Sequence, residues 1–214
     1  MSGKLTSKLI YLALGFVAIS ATKLLYTLYP FNTSHTSFTD TSQILNTLPS
    51  LEIGDIILRE GKGIESIVIQ TLSNHPYTHI GLIVSTQPII ILHATPDDNP
   101  TKPNQVILSS LDEFLFHAKQ IAIKRFDFST KTREKIALEA TLWLGEPFVL
   151  SGDTSSLYCT TLLESILSPH ITLNLPYEYI DFSAFKGTYL FPKAFFESPQ
   201  STLIYQSDSI HSPY

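Results

Sequence analysis

The stretch "YTHIGLIVSTQPIIILHAT", residues 77–95, decides the fold. Two β-branched, aliphatic runs (77–85 and 88–95) flank a link too short for a crossover. A parallel return needs a dozen or more residues, so the two runs pair antiparallel. His79 opens the first run and His93 closes the second. Antiparallel pairing then carries both imidazoles to the same edge of the sheet.

Working outward, "GDIILRE" (54–60) reads as a strand opened by a Gly-Asp turn. In "GKGIESIVIQTLSN" (61–74), Ile64, Ile67, Val68 and Leu72 fall at helical spacing. "NQVILSS" (104–110) and "KQIAIKRFDF" (119–128) supply two more strands, with a short helix at "SLDEFLFHA" (110–118) between them. "STKTREKIALEATLWLG" (129–145) is the clearest helix, capped by Ser129 or Thr130 and stopped by Gly145. After the loop "GEPFVLSGDTSSLY" (145–158), a second helix runs from about Leu157 to Leu167, capped by Ser155 or Ser156. "GTYLFPKAFFESPQSTLIYQ" (187–206) suggests one strand and then a short helical or extended segment. The pattern is an α+β domain, an antiparallel sheet packed against helices.

The 214 residues suffice for one domain plus extensions. With 43% hydrophobic and 15% charged residues, the composition is that of a folded chain. A net charge of −5 without a basic run excludes nucleic acid as an expected partner. The single cysteine, Cys159, leaves no internal disulfide. At the N-terminus, Lys4 and Lys8 precede an apolar run from Leu9 to Ala21, and Ala18-Ile19-Ser20 offers a small-x-small cleavage pattern. The apolar character resumes after Lys23, bringing the segment to roughly a bilayer span. Residues 1–30 are therefore expected to be a signal peptide or an apolar membrane-anchoring helix, and the protein to reside in the cell envelope. The Ser/Thr/Asn-rich stretch 31–50 reads as a linker, 51–200 as the domain and 201–214 as a tail.

Cys159 falls in the first turn of the second helix, where unpaired N–H groups and the helix dipole favour a negative charge. That position is expected to lower the thiol toward neutrality, above all beside a histidine. The plain alternative is a small buried apolar residue. His79 and His93, delivered to one sheet edge, suit a base and the group that orients it. A zinc site on His75 and His79, four residues apart, is not expected, because Pro76 opposes a helix there and no third-ligand pattern follows. His35, His117, His170 and His211 show no partner pattern and are taken as surface residues.

In order, "GDIILREGKGIESIVIQTLSNHPYTHIGLIV", "IIILHATP", "ALEATLWLGEPF", "LYCTTLLESIL" and "GTYLFPKAFFESPQ" resemble the YiiX-like group of permuted papain-fold cysteine hydrolases. These are relatives of NlpC-type amidases and, distantly, of lecithin:retinol acyltransferases. The resemblance spans about residues 51–200 and lies in the ordered set, not in any one motif. It implies a permuted papain-like fold, Cys159 as nucleophile, His79 as general base and His93 as the third, orienting residue. It also implies Tyr158 at the substrate cleft and a reaction without metal or organic cofactor. The implied substrate is a cell-wall peptide or a lipid-like acyl amide or ester, opened through a thioester. An acyltransferase using the same site, or an inactive binding module, are the alternatives. Two departures stand out: the group commonly has a glutamate where this chain has His93, as the acyltransferase-like branch does not, and "EPFVL" replaces a Tyr-Asp pair after the proline.

Overall fold

The computed structural model describes residues 44–182 and 184–207. The expected N-terminal apolar helix lies outside them. Among the described residues, no helix is long and apolar enough to cross a membrane.

After a helical turn at 44–47 come β1 (Ile56–Gly61), α1 (Ile64–Ser73), β2 (His79–Thr86), β3 (Ile89–Thr95) and β4 (Gln105–Ser110). They are followed by α2 (Leu111–Phe116), β5 (Ala118–Phe126), α3 (Thr130–Ala140) and α4 (Cys159–Leu167). The chain closes with β6 (Glu178–Ile180), β7 (Gly187–Tyr189), α5 (Pro192–Glu197) and β8 (Ser201–Gln206). Six strands form one antiparallel sheet in the order β4-β3-β2-β1-β5-β8, and β6 and β7 form a separate hairpin.

Strand alternation divides the core into two layers. Ile56, Leu58, Ile80, Leu82, Leu92 and Ala94 point to one face, which α3, α4 and α5 cover with Ile136, Leu162, Leu163 and Phe195. Ile57, Ile83, Ile91, Ile121 and Ile123 point to the other, covered by Leu111, Phe114 and Leu115 around α2 and by Ile44. Local caps agree with the sequence: Ser129 caps α3 by accepting from Thr132 N–H, and Ser110 with Glu113 closes a capping box on α2.

Several expectations need correction. Residues 201–206, expected as tail, form β8 and pair with β5 from Ala122↔Gln206 to Phe126↔Ser201, so the domain runs past 200. At its other end the domain takes in Ile44, within the stretch assigned to a linker, because that side chain completes the α2-side core. Helix α4 starts at Cys159, not near Leu157, and neither Ser155 nor Ser156 caps it. Its boundary residue is Tyr158, whose backbone N–H donates to Thr161 Oγ1 at 2.9 Å. Helix α1 buries only part of its apolar pattern, with Val68 and Leu72 half-buried. Ser66 and Ser73 are its buried residues, while Ile64 and Ile67 are 74% and 55% exposed. Gly61 permits this close seating, since a Cβ there would meet Ser66 Oγ at 2.1 Å. His170 is not a free surface residue either, its Nε2 lying 2.6 Å from Glu139 Oε2.

Candidate active site

The β2–β3 ribbon delivers its histidines as the pairing predicts. The register holds at Leu82↔Leu92 and Ile83↔Ile91, but no pair extends the ladder toward the histidine end. Across that open end, His79 Nε2 and His93 Nδ1 lie 2.9 Å apart, with the rings edge-on at 82°. His93 Nε2 lies 3.0 Å from Ser109 Oγ on β4. Both rings pack near Phe114 of α2, at centroid distances of 5.8 and 5.3 Å. His93 is fully buried, whereas His79 keeps a small exposure to the cavity described below.

Helix α4 approaches from the other face of the sheet and presents Cys159, its first residue, at the same open end. The backbone N–H groups of Ile80, Thr160 and Cys159 itself favour its thiolate. Ile80 follows His79 directly in β2. Cys159 and His79 line one cavity of about 260 Å³. Most of its wall is apolar, including Ile69, Pro96, Phe148, Leu150, Leu190 and Phe191. Tyr158 also lines it, as expected, but its hydroxyl is engaged, accepting from Leu190 N–H at 2.8 Å. It ties the chain after β7 to the start of α4.

Two residues that the sequence reading passed over complete the site. Arg59, on β1 opposite His79, pairs with Asp98 from the loop after β3. Arg59 Nη2 lies 2.8 Å from Asp98 Oδ1 and 2.7 Å from Oδ2, both side chains being more than nine-tenths buried. The guanidinium also donates to Phe114 O at 3.2 Å and stacks 4.6 Å from its ring centroid. Asp98 Oδ2 stands 3.8 Å from His93 Nδ1 and accepts no hydrogen bond. Strand parity was a usable signal for Arg59, since it shares a face with buried Ile57. Asp98 sits in "TPDDNP" and shows no such pattern.

Burial governs the titration of the site. It pushes the Cys159 thiol up from 9.0 to about 11, against the opposing pull of the nearby N–H groups and Arg59. The expected lowering toward neutrality is thus corrected, because desolvation of the thiolate outweighs the helix-start dipoles. Burial, followed by Arg59, pushes His79 well below 6.5 and His93 to about 3. For Asp98, burial acts upward, but Arg59 and the histidines outweigh it and hold the carboxyl below the usual range. Thiol and imidazoles therefore rest neutral beside a closed ion pair.

His79, His93 and Asp98 also form a donor cluster, with ligand-type atoms within 4.8 Å of one another. His75 is not part of it and packs instead against Tyr77 and Phe196.

No family model and no curated protein matches the chain. Among solved structures, it is similar to the crystal structure of metalloprotein yiiX from Escherichia coli O157:H7. The TM-score is 0.64 at 19% identity, over 74% of this chain and 99% of that one. The chain has a YiiX-like fold.

Proposed function

We propose that this YiiX-like fold is a permuted papain-like cysteine hydrolase acting on an amide or ester in the cell envelope. One observation carries the reading: a helix-start sulfur and an imidazole share one cavity, and that imidazole is bonded to a second ring behind it. With His93 Nε2–H donating to Ser109 Oγ, His93 Nδ1 accepts from His79 Nε2–H. His79 Nδ1 is then left as the free base nitrogen. His79 takes the Cys159 proton as the sulfur attacks the substrate carbonyl carbon. The N–H groups of Cys159 and Thr160, at the start of α4, would serve as donors to the forming oxyanion. Collapse breaks the carbonyl–heteroatom bond, His79 returns the proton to the leaving amine or alcohol, and a thioester remains. Water, activated by the same nitrogen, releases the acid and the thiol. An amine or alcohol acceptor in place of water would make the protein an acyltransferase.

The test is intact-mass detection of one acyl adduct on Cys159 after mixing with 4-nitrophenyl acyl esters, with and without a primary amine. Wild type should form and discharge the adduct, while Cys159→Ala forms none. Discharge accelerated by the amine, with amide as product, would favour the transferase. Absence of any adduct or turnover would reduce the site to a binding cleft.

A metal site is the second reading, favoured by the donor cluster and by the metalloprotein designation of the yiiX structure. His79, His93 and Asp98 would be the ligands, and a divalent ion there would act as a Lewis acid. The Arg59 charge against Asp98 and the mutual bond of the two imidazoles oppose it. Elemental analysis decides: stoichiometric metal lost in a His93→Ala variant supports this reading, and thiol-dependent turnover insensitive to chelator rejects it.

A further inference from the structure

Helix α1 leaves two of its apolar residues in solvent, while Val68, Ile69 and Leu72 are half-buried. Its serines face the sheet, while Ile64 and Ile67 stand 74% and 55% exposed. Phe116, at the end of α2, is 65% exposed. The chain just before α1 is fastened to it, with Lys62 N donating to His117 O at 3.2 Å and Lys62 Nζ to Phe116 O at 2.9 Å. The Lys62 ammonium lies 5.9 Å from the Phe116 ring centroid. Aliphatic side chains beside an aromatic ring and a lysine match the chemistry of a membrane–water interface.

We propose that the exposed face of α1, with Phe116, docks on a lipid bilayer surface. Two features select lipid over a protein partner. First, Glu65, Ser66 and Ile69 of the same helix line the cavity that holds Cys159, so seating α1 brings the cavity to the lipid. Second, in the sequence no more than residues 31–43 lie between the apolar N-terminal segment and the helical turn at 44–47. A chain of that length spans at most roughly 45 Å. A domain so tethered meets the bilayer at high effective concentration, and a modest apolar face suffices to orient it. The proposal rests on the anchor reading of that segment, and not on the hydrolase reading.

The test uses the full chain in phosphatidylcholine vesicles, with Cys159→Ser and Ile67→Cys carrying an environment-sensitive fluorophore. The expected result is blue-shifted emission and loss of signal on adding lipid with a headgroup-proximal doxyl quencher. The same label at Lys135→Cys, on α3, should show neither. A label at Phe116→Cys should lose its quenching when Ile64→Asp and Ile67→Asp are introduced. Failure of the full chain to float with vesicles would overturn both the anchor reading and the docking. Flotation with an unquenched Ile67 label would overturn the docking alone. A label shielded from aqueous iodide yet unquenched by doxyl lipid would show a protein on this face, and would equally overturn it.

Discussion

Alkylation of Cys159 measures directly whether the site rests as a neutral pair. Burial moves the thiol from 9.0 to about 11 and depresses His79. At pH 7.5 a thiol titrating at 9 is about 3% thiolate, and one at 11 about 0.03%, a loss of about 100-fold in nucleophile. The chain has one cysteine, so a single mass shift reports the reaction without ambiguity. The rate with iodoacetamide is to be followed by intact mass across alkaline pH, for the native protein and in denaturant. At pH 7.5 the native rate should be lower by about 100-fold or more, since shielding adds to the thiolate deficit. It should still climb about tenfold per pH unit near pH 10, where the unfolded thiol has levelled off. His79→Ala should abolish turnover yet leave the native rate at pH 7.5 unchanged. A native rate that levels off below about pH 8, or falls about tenfold in His79→Ala, would establish a preformed thiolate–imidazolium pair. The neutral resting state would then be refuted.

Arg59→Met leaves Asp98 buried without its cation and should cost about 3–5 kcal/mol in urea unfolding. Arg59→Met with Asp98→Leu should recover much of that, and equal losses in single and double variants would contradict the pairing. His79 and His93 are both held below 6.5, so the unfolded chain binds protons that the folded one refuses. Stability is then complete above that pH and falls as pH drops toward about 3, by up to about 1.4 kcal/mol per pH unit for each ring. Urea titrations between about pH 6.5 and 4 should show a shallower slope for His93→Gln, and an unaltered slope would remove His93 from this account. A Cβ at Gly152 would meet Gly187 Cα at 2.5 Å and Lys186 O at 2.6 Å. Gly152→Ala should therefore cost about 1–3 kcal/mol by thermal unfolding and disturb the loop that leads to Cys159. A wild-type melting temperature would show that the loop yields freely.

The β2–β3 ribbon was legible because a two-residue link between aliphatic runs leaves one arrangement. Helix α3 was legible from its Ser129 cap. The start of α4 was misread because serine is a common cap, whereas here Thr161 reaches back to the Tyr158 N–H. Periodicity found α1 but could not orient it. An apolar face specifies burial only when something covers it, and the close contact at Gly61 seats the serine side on the sheet instead. Strand β8 was missed because its outward residues include Leu203, 44% exposed at an edge, which blurs the two-residue alternation. Asp98 was beyond reach, since its meaning comes from Arg59, 39 residues away.

The departure at His93 is best understood through that ion pair. In the proposed mechanism a carboxylate in the third position would stabilise an imidazolium on His79, and a neutral ring would do so less. Moving the proton from a thiol pushed up to about 11 to an imidazole held well below its ordinary value is uphill, because burial disfavours both charged forms. Attraction between the developing thiolate and imidazolium would return part of that cost. The remainder has to come from fixed charges. Asp98 Oδ2, 3.8 Å from His93 Nδ1, is the anion placed to favour positive charge on the histidines. Arg59 favours the thiolate while opposing that imidazolium. As a pair they carry no net charge, yet they act with opposite signs on the two products of the transfer. Under the proposed mechanism, the carboxylate influence on His79 would come from Asp98, acting through space past His93.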